Sequence, residues 1–519
     1  MRGESPARWD RKIQGPIRDF SSYNASMQAR DRVGVLVRRF GLGGGAREVD
    51  RYASMGYEKA LDALLGFGPV PSQDFPMIRC AYKMEPEEDA EPGFYRFIGH
   101  HIHHLLTSPD PVREKLALFY LDHFAVTAND VEHGLAWYHH LEMLRMVAGM
   151  KFPQVLELMI LSPALVLQLN AEQNRRGNPN ENLGRELLEL YSVGIGTYSE
   201  EEVRDAARAL TGLIITDDTW GSGTTYKERL GRMIKEQRPL IGVGFVPVFH
   251  DDGEKNVVGL KGKFGWQELA RHLANHPLTA KHMCGKLWDF FVGGTPPSRD
   301  LDHLVSTYTK TGGDVRAVLR AMTTLDSFWA PGRARVLSPI EWTISIGRAF
   351  GQDEDARQTL NPGGPTDGIQ EPWWQVVGAI HYHCVQQGME LYRPPSVAGW
   401  DWGPGWVSTS SMVHRSRYGL AFSFNEEPKG SGQWHPGGTM RRFVQFVAGQ
   451  PRATDDDIVR SVEAYFDLEL PDETLLALGG LSKEINAVAA FGTTNVQWQA
   501  GCLNRLFEAL RSAPAFHVV

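Results

Sequence analysis

The sequence predicts a mainly α-helical protein, one multi-helix globular domain carrying a small β-hairpin insertion. Three observations carry that expectation. Apolar residues recur at helical spacing through most of the 519 residues, as in Leu183, Leu187, Leu188 and Tyr191. Runs with the β-branched and aromatic character of short strands stand out at Leu213–Asp217 and Val246–Val258. The composition, 42% hydrophobic and 22% charged, is that of an ordinary globular chain with enough length for an extensive core.

Composition also excludes function classes. A net charge of -8 with no basic stripe argues against a nucleic-acid binder, because phosphate binding requires concentrated Lys and Arg. Cys80, Cys284, Cys384 and Cys502 stand far apart with no CxxC pair, and read as buried thiols rather than a zinc ribbon or disulfide scaffold. No window approaches the ~20 apolar residues of a membrane span. The opening MRGESPARWDRKIQGPIRDF has positive charge but no apolar stretch of the kind a secretory signal requires. A cytoplasmic protein that neither spans nor binds a membrane is expected.

Taken in order, residues 1–30 read as a polar arm punctuated by Pro6, Gly15 and Pro16, and 31–424 as the main domain. Gly41, Gly43 and Gly45 separate two helices as a turn; Arg38 and Arg39 break any buried strand before them, against a dinucleotide loop. After a Pro- and acid-rich linker at 69–93, helices are predicted over Phe94–Thr107, from Pro111 through LFYLDHF, over Glu132–Met150 and over Phe152–Leu161. Asn178–Leu213 reads as two helices about a glycine turn. Gly194 and Gly196 end the first, and Ser199 with Glu202 three residues later forms a capping box for the second. The hairpin insertion, about 213–262, bears FHDDGEK. Helices resume over Trp266–Ala274, Thr279–Phe291, Leu301–Thr311, Asp314–Met322 and Pro339–Phe350, then over Trp373–Gln387 beyond a loop at 351–372. RPPSVAGWDWGPGW, 393–406, is an aromatic Pro-Gly loop. A polar gap at 425–438 precedes a helical tail from Met440, so 425–519 is expected to pack on the main domain.

Four constellations carry candidate chemistry. Glu181, Arg185, Glu186 and Glu189 share one helix; carboxylates facing into a bundle and joined by histidines from neighbouring helices build di-iron and di-manganese sites, whereas the same residues on the surface form an i,i+4 ion-pair ladder. His123, at the end of an aromatic-rich helix, suits a ligand, a general base or a satisfied core histidine. His100 and His104, one helical turn apart, are a further metal pair or a solvated face. His250-Asp251-Asp252-Gly253-Glu254-Lys255 offers an imidazole, carboxylates and an ammonium in a tight turn, or simply a charged Asp-Gly turn. Trp400, Trp402 and Trp406 beside Arg393 form either a stacking wall for a substrate or a plug over the core. Lys286-Leu287-Trp288, followed by Phe290 and Phe291, reads as core.

With these blocks in view, the chain resembles the bacterial family known as domain of unknown function eighteen hundred. The resemblance rests on RRFGLG at 38–43, LFYLDHF at 118–124, NENLGRELLELYSVGIGTYSEEEVRDAARALTGL at 180–213, FHDDGEKNVVGLKG at 249–262, KLWDFFV at 286–292 and RPPSVAGW at 393–400. Family members commonly look exported and often accompany a phosphatase- or sulfatase-like companion, and the family's activity is unassigned. This chain departs from the pattern in lacking a leader and in carrying Tyr120 where the family usually has Trp. The resemblance adds weight to His123, Arg185, Glu186, Glu189, His250, Asp251 and Lys255, which lie in the shared blocks and are not residues a hydrophobic core requires.

These candidates combine into one expectation. A pocket is walled by the 180–193 and 112–125 helices and lidded by the FHDDGEK segment and the tryptophan loop. His123, Glu186, Glu189 and His250 are the expected ligands of iron or another divalent metal. Arg185 and Lys255 hold an anionic group of a small-molecule substrate, with Asp251 as a further catalytic side chain. An oxygen-using oxidoreductase is the expected class, with a metal-dependent hydrolase as the alternative. A non-catalytic helical scaffold is the competing class, and haem on a helical histidine a third option.

Overall fold

The apolar stripes of the helices close into two clusters of buried side chains. The structure, a computed structural model, describes residues 27–67, 94–131, 134–217, 241–330, 335–354, 371–418 and 437–519. Most of the expected N-terminal arm, the 69–93 linker, much of the 351–372 loop and most of the 425–438 gap lie outside the described residues, as does Cys80. The larger cluster draws on helices from Ala29–Phe40 to Glu371–Gln386. The smaller is built mainly from Gly437–Ala448, Asp455–Phe466, Asp472–Glu484 and Val496–Leu510. No helix among the described residues is long and apolar enough to cross a membrane, and Cys284, Cys384 and Cys502 are buried free thiols.

One helix serves both clusters. Pro339–Ala349 starts where Ser338 accepts the Glu341 N–H and Pro339 occupies the first turn. Ile340 and Ile344, four apart, enter the larger cluster, whereas Trp342, Ile346 and Ala349 on the opposite face enter the smaller. Its charged side chains, Glu341 and Arg348, are buried too, and each finds a counter-charge. Glu341 takes both terminal nitrogens of Arg335, at 2.9 and 2.7 Å, and lies 3.3 Å from Lys115 Nζ. Burial alone would raise the Glu341 carboxyl, but Arg335 and Lys115 bring it down to about 2. Arg348 pairs with Glu48 at 2.6 Å, tying in the Gly45–Ala53 helix. Just ahead of the helix, Arg335 and Leu337 donate their N–H groups to the carbonyls of Val519 and His517 at 3.1 and 2.8 Å.

The β content is two antiparallel pairs. β1 (Leu213–Asp217) pairs with β2 (Ile241–Phe245), Leu213 opposite Phe245, and β3 (Lys255–Val257) pairs with β4 (Leu260–Gly262). Of the Val246–Val258 run, expected to have short-strand character, only Lys255–Val257 is strand. Pro247 has no N–H to give a ladder, and Pro247–Phe249 is a 3₁₀ turn instead. The partner of β1 comes from IGVGF, whose two glycines obscured its strand character in the sequence. Val258 and Gly259, both at positive φ, turn β3 into β4. The Val258 N–H is held at 2.8 Å by Glu202, the same carboxylate that caps Ser199.

Glu341→Gln leaves Arg335 and Lys115 buried without their counter-charge. It is expected to lower unfolding free energy by about 3–5 kcal/mol, read from the urea midpoint at unchanged slope.

Candidate active site

The Pro111–His123 helix is buried along its whole length, so its last turn delivers Asp122 and His123 into the interior. Aromatic rings surround the imidazole: Phe119 stacks on it at 5.8 Å, Phe124 meets it edge-on at 4.7 Å, and Phe152 and Tyr191 stand 6.0 Å away. His123 Nε2 lies 3.3 Å from the Tyr191 carbonyl, and Nδ1 lies 3.1 Å from Lys286 Nζ. An ammonium is a donor and a carbonyl an acceptor, so these partners assign the neutral tautomer protonated at Nε2. Burial, with Lys286 and His282 close by, holds the imidazole well below its ordinary value.

Lys286 comes from the Pro277–Phe291 helix, one turn beyond His282, whose Nε2 lies 3.3 Å from the Leu190 carbonyl. Burial lowers the Lys286 ammonium, while the charges of Asp122 and Asp289 pull it back up. Asp122 is moved the other way: burial raises it to about 6, against Lys286 and the Trp400 N–H, which it accepts at 2.7 Å. That bond ties down the tryptophan loop. Gly399, at φ 87°, lies so close that a Cβ there would run into the Asp122 carboxylate. An amine and a carboxyl, both pushed toward neutrality, thus share one buried site with a neutral imidazole.

The tryptophan loop is a plug. Trp400 and Trp406 are buried, Trp402 packs on Phe290 at 4.8 Å, and Arg393 turns to Glu390 at 2.5 Å. His101 and His103 are buried, His101 stacked on Tyr392 at 5.8 Å, whereas the side chain of His100 lies outside the described residues.

Of the residues singled out in the sequence, the structure brings His123 together with the end of the Asn182–Glu189 helix and disperses the others. Arg185 pairs with Glu200 at 2.7 Å and Glu181 at 3.2 Å on the surface. Glu189 accepts the Tyr198 hydroxyl at 2.7 Å. Glu186 is half-buried, and burial followed by the charge of Glu189 raises its carboxyl. His250 Nδ1 faces the Thr211 carbonyl at 3.0 Å. Asp251 receives Arg208 at 2.9 and 3.2 Å, which holds it down at about 2. Lys255 donates to the carbonyls of Gly253 and Phe264 at 3.0 and 3.1 Å. The expected quartet His123, Glu186, Glu189 and His250 therefore does not fit a shared metal. Both nitrogens of His123 are engaged, and no group of three or more His, Cys, Asp and Glu side chains among the described residues is placed to hold an ion. FHDDGEK packs against the Glu200–Ala209 helix, where Asp251 meets Arg208.

Lys286, Asp122 and His282 were missed. The available signal was a lysine in the mostly apolar stretch MCGKLWDFF, and Asp122 beside His123 within one block. A lysine in such a run reads as snorkelling from the core unless its neighbours in space are known.

The family model described as Protein of unknown function (DUF1800) matches residues 35–514, and the chain belongs to that family. No curated protein and no solved structure matches it.

Gly399→Ala is expected to cost about 1–3 kcal/mol and to shift the tryptophan emission, since the loop must leave Asp122. The pH response of Asp122 has a definite sign. Its carboxyl rises from 3.8 to about 6 on folding, so the folded chain holds the proton more tightly. The resulting stabilisation is complete below the lower value and is lost as pH rises through the upper one. Asp122→Asn keeps the acceptor for Trp400 and removes this loss; urea unfolding should show the variant gaining on the parent across that window, by about 2–3 kcal/mol at neutral pH.

Proposed function

We propose that the protein is an enzyme in which Lys286 acts as an amine nucleophile on a small carbonyl-containing substrate. The observation that carries this reading is Lys286 Nζ 3.1 Å from the Nδ1 of neutral His123, in a site where burial favours the free amine. The free amine adds to the carbonyl carbon to give a carbinolamine. Departure of the hydroxyl as water, with one proton supplied, leaves a protonated imine. Asp122, whose carboxyl is raised to about 6 by burial and whose charge acts on Lys286, is the group suited to supply that proton. His123 is a positioning residue: its Nδ1 accepts one N–H of Lys286 and so directs the amine. A metal-dependent oxidoreductase, the class the helical His/carboxylate pattern suggests, would require Glu189 and His250 to exchange Tyr198 and Thr211 for a common ion.

Reductive trapping tests the proposal. The protein is incubated with pyruvate, glyceraldehyde and acetaldehyde in the presence of cyanoborohydride, and the adduct is mapped by mass spectrometry. A single saturable adduct on Lys286 is expected with at least one of them, absent in Lys286→Met and slowed about ten-fold or more in Asp122→Asn. Adducts spread over surface lysines, formed equally fast in Lys286→Met, would overturn it.

A further inference from the structure

The smaller cluster buries cations that have no counter-charge. Arg415, from the Thr409–Arg417 helix, and Arg511, just beyond Val496–Leu510, are both fully buried. Arg415 donates from Nε to Gln387 at 2.8 Å and from Nη2 to the Leu337 carbonyl at 2.7 Å, and its Nη1 lies 3.4 Å from His517 Nδ1. All three partners are neutral. Arg511 engages only Nε, with the Phe507 carbonyl at 3.3 Å; Nη1 and Nη2 are buried with no partner. His517 is held between the two: its Nδ1 faces Arg415, and its ring hydrogen-bonds the Arg511 backbone.

Arg415 and His517 share one aromatic neighbourhood, and the charge of Arg511 reaches it at Tyr418 and His383. Trp342 lies 5.3 Å from the Arg415 guanidinium, 5.8 Å from the His517 ring and 5.5 Å from the Tyr418 ring, and Tyr418 meets His383 edge-on at 4.6 Å. Burial, and then the charges of His414 and Arg511, lower His383 to about 4; burial and Arg415 lower His517 to about 4. Glu341 and Glu508 act on the two arginines from beyond ion-pair distance. Three other buried arginines have carboxylate partners: Arg145 with Glu114, Arg335 with Glu341, Arg348 with Glu48. Leaving a guanidinium fork buried and unsatisfied is strongly unfavourable, and an oxyanion that accepts from both terminal nitrogens removes the deficit.

We propose that the two terminal nitrogens of Arg511 bind a small oxyanion of the phosphate or sulfate type, as the free ion or as the terminal group of a small molecule. The site lies in the smaller cluster and is independent of Lys286. The full chain is titrated with sodium phosphate and with sodium chloride at matched ionic strength, following melting temperature and heat of binding. A saturable rise with phosphate and none with chloride is expected. Arg511→Met should weaken phosphate binding about ten- to a hundred-fold, whereas Arg505→Met, an exposed arginine in the preceding helix, should leave it unchanged. Should Arg511→Met fail to fold, Arg511→Gln replaces it in the same comparison. The proposal is overturned by the absence of a saturable phosphate response in the parent, or by an equal response in the variant. If phenyl phosphate competes, the ligand is a phosphorylated molecule; if it does not, the free ion is the ligand.

Discussion

The buried charges around the Pro339–Ala349 helix hold the two halves of this protein in one arrangement. Arg335, Glu341 and Lys115 join the helix to Pro111–His123, and Arg348 with Glu48 joins it to Gly45–Ala53. The helix itself divides its apolar residues between both clusters. Apolar contact alone tolerates sliding and repacking, whereas a buried carboxylate that must meet two cations allows essentially one register. The pairing of Arg335 and Leu337 with Val519 and His517 then ties the last residues of the chain to the same element.

That frame explains how polar groups can remain poised inside it. Along Pro111–His123, Lys115 is neutralised by Glu341, while two turns later His123 meets Lys286 in a hydrogen bond and Asp122 acts on Lys286 through its charge. The difference is geometric. Lys115 lies close enough to a carboxylate for an ion pair, whereas Lys286 has an imidazole in that position, and Asp122 is turned toward a backbone N–H of the tryptophan loop. Charge is thereby left available in one place and silenced in the other.

The candidate site was partly legible in the sequence. His123 stood out because an imidazole is not required by a core, and the tryptophan loop because its rings had to cover something. Glu181, Arg185 and Glu189 were ambiguous between a bundle interior and a surface ladder; Arg185 takes the ladder with Glu181, while Glu189 turns to Tyr198. Lys286 was concealed by its setting, because an aliphatic stem among apolar residues looks the same whether its ammonium reaches water or a buried histidine.

What the sequence by itself determined is local: the helices with their caps, seen in Ser199 with Glu202 and Ser338 with Glu341, and the apolar stripes that make the fold mainly α. These depend on interactions between residues three or four apart, which the order of the chain states directly. Only the tertiary structure decided that IGVGF would pair with Leu213–Asp217, that FHDDGEK would spend its charges on Arg208 and Thr211, and that Lys286 would reach His123 across 163 residues. Hydrogen bonds and ion pairs act over a few ångströms in space without regard to sequence separation, so which partners meet is settled by packing.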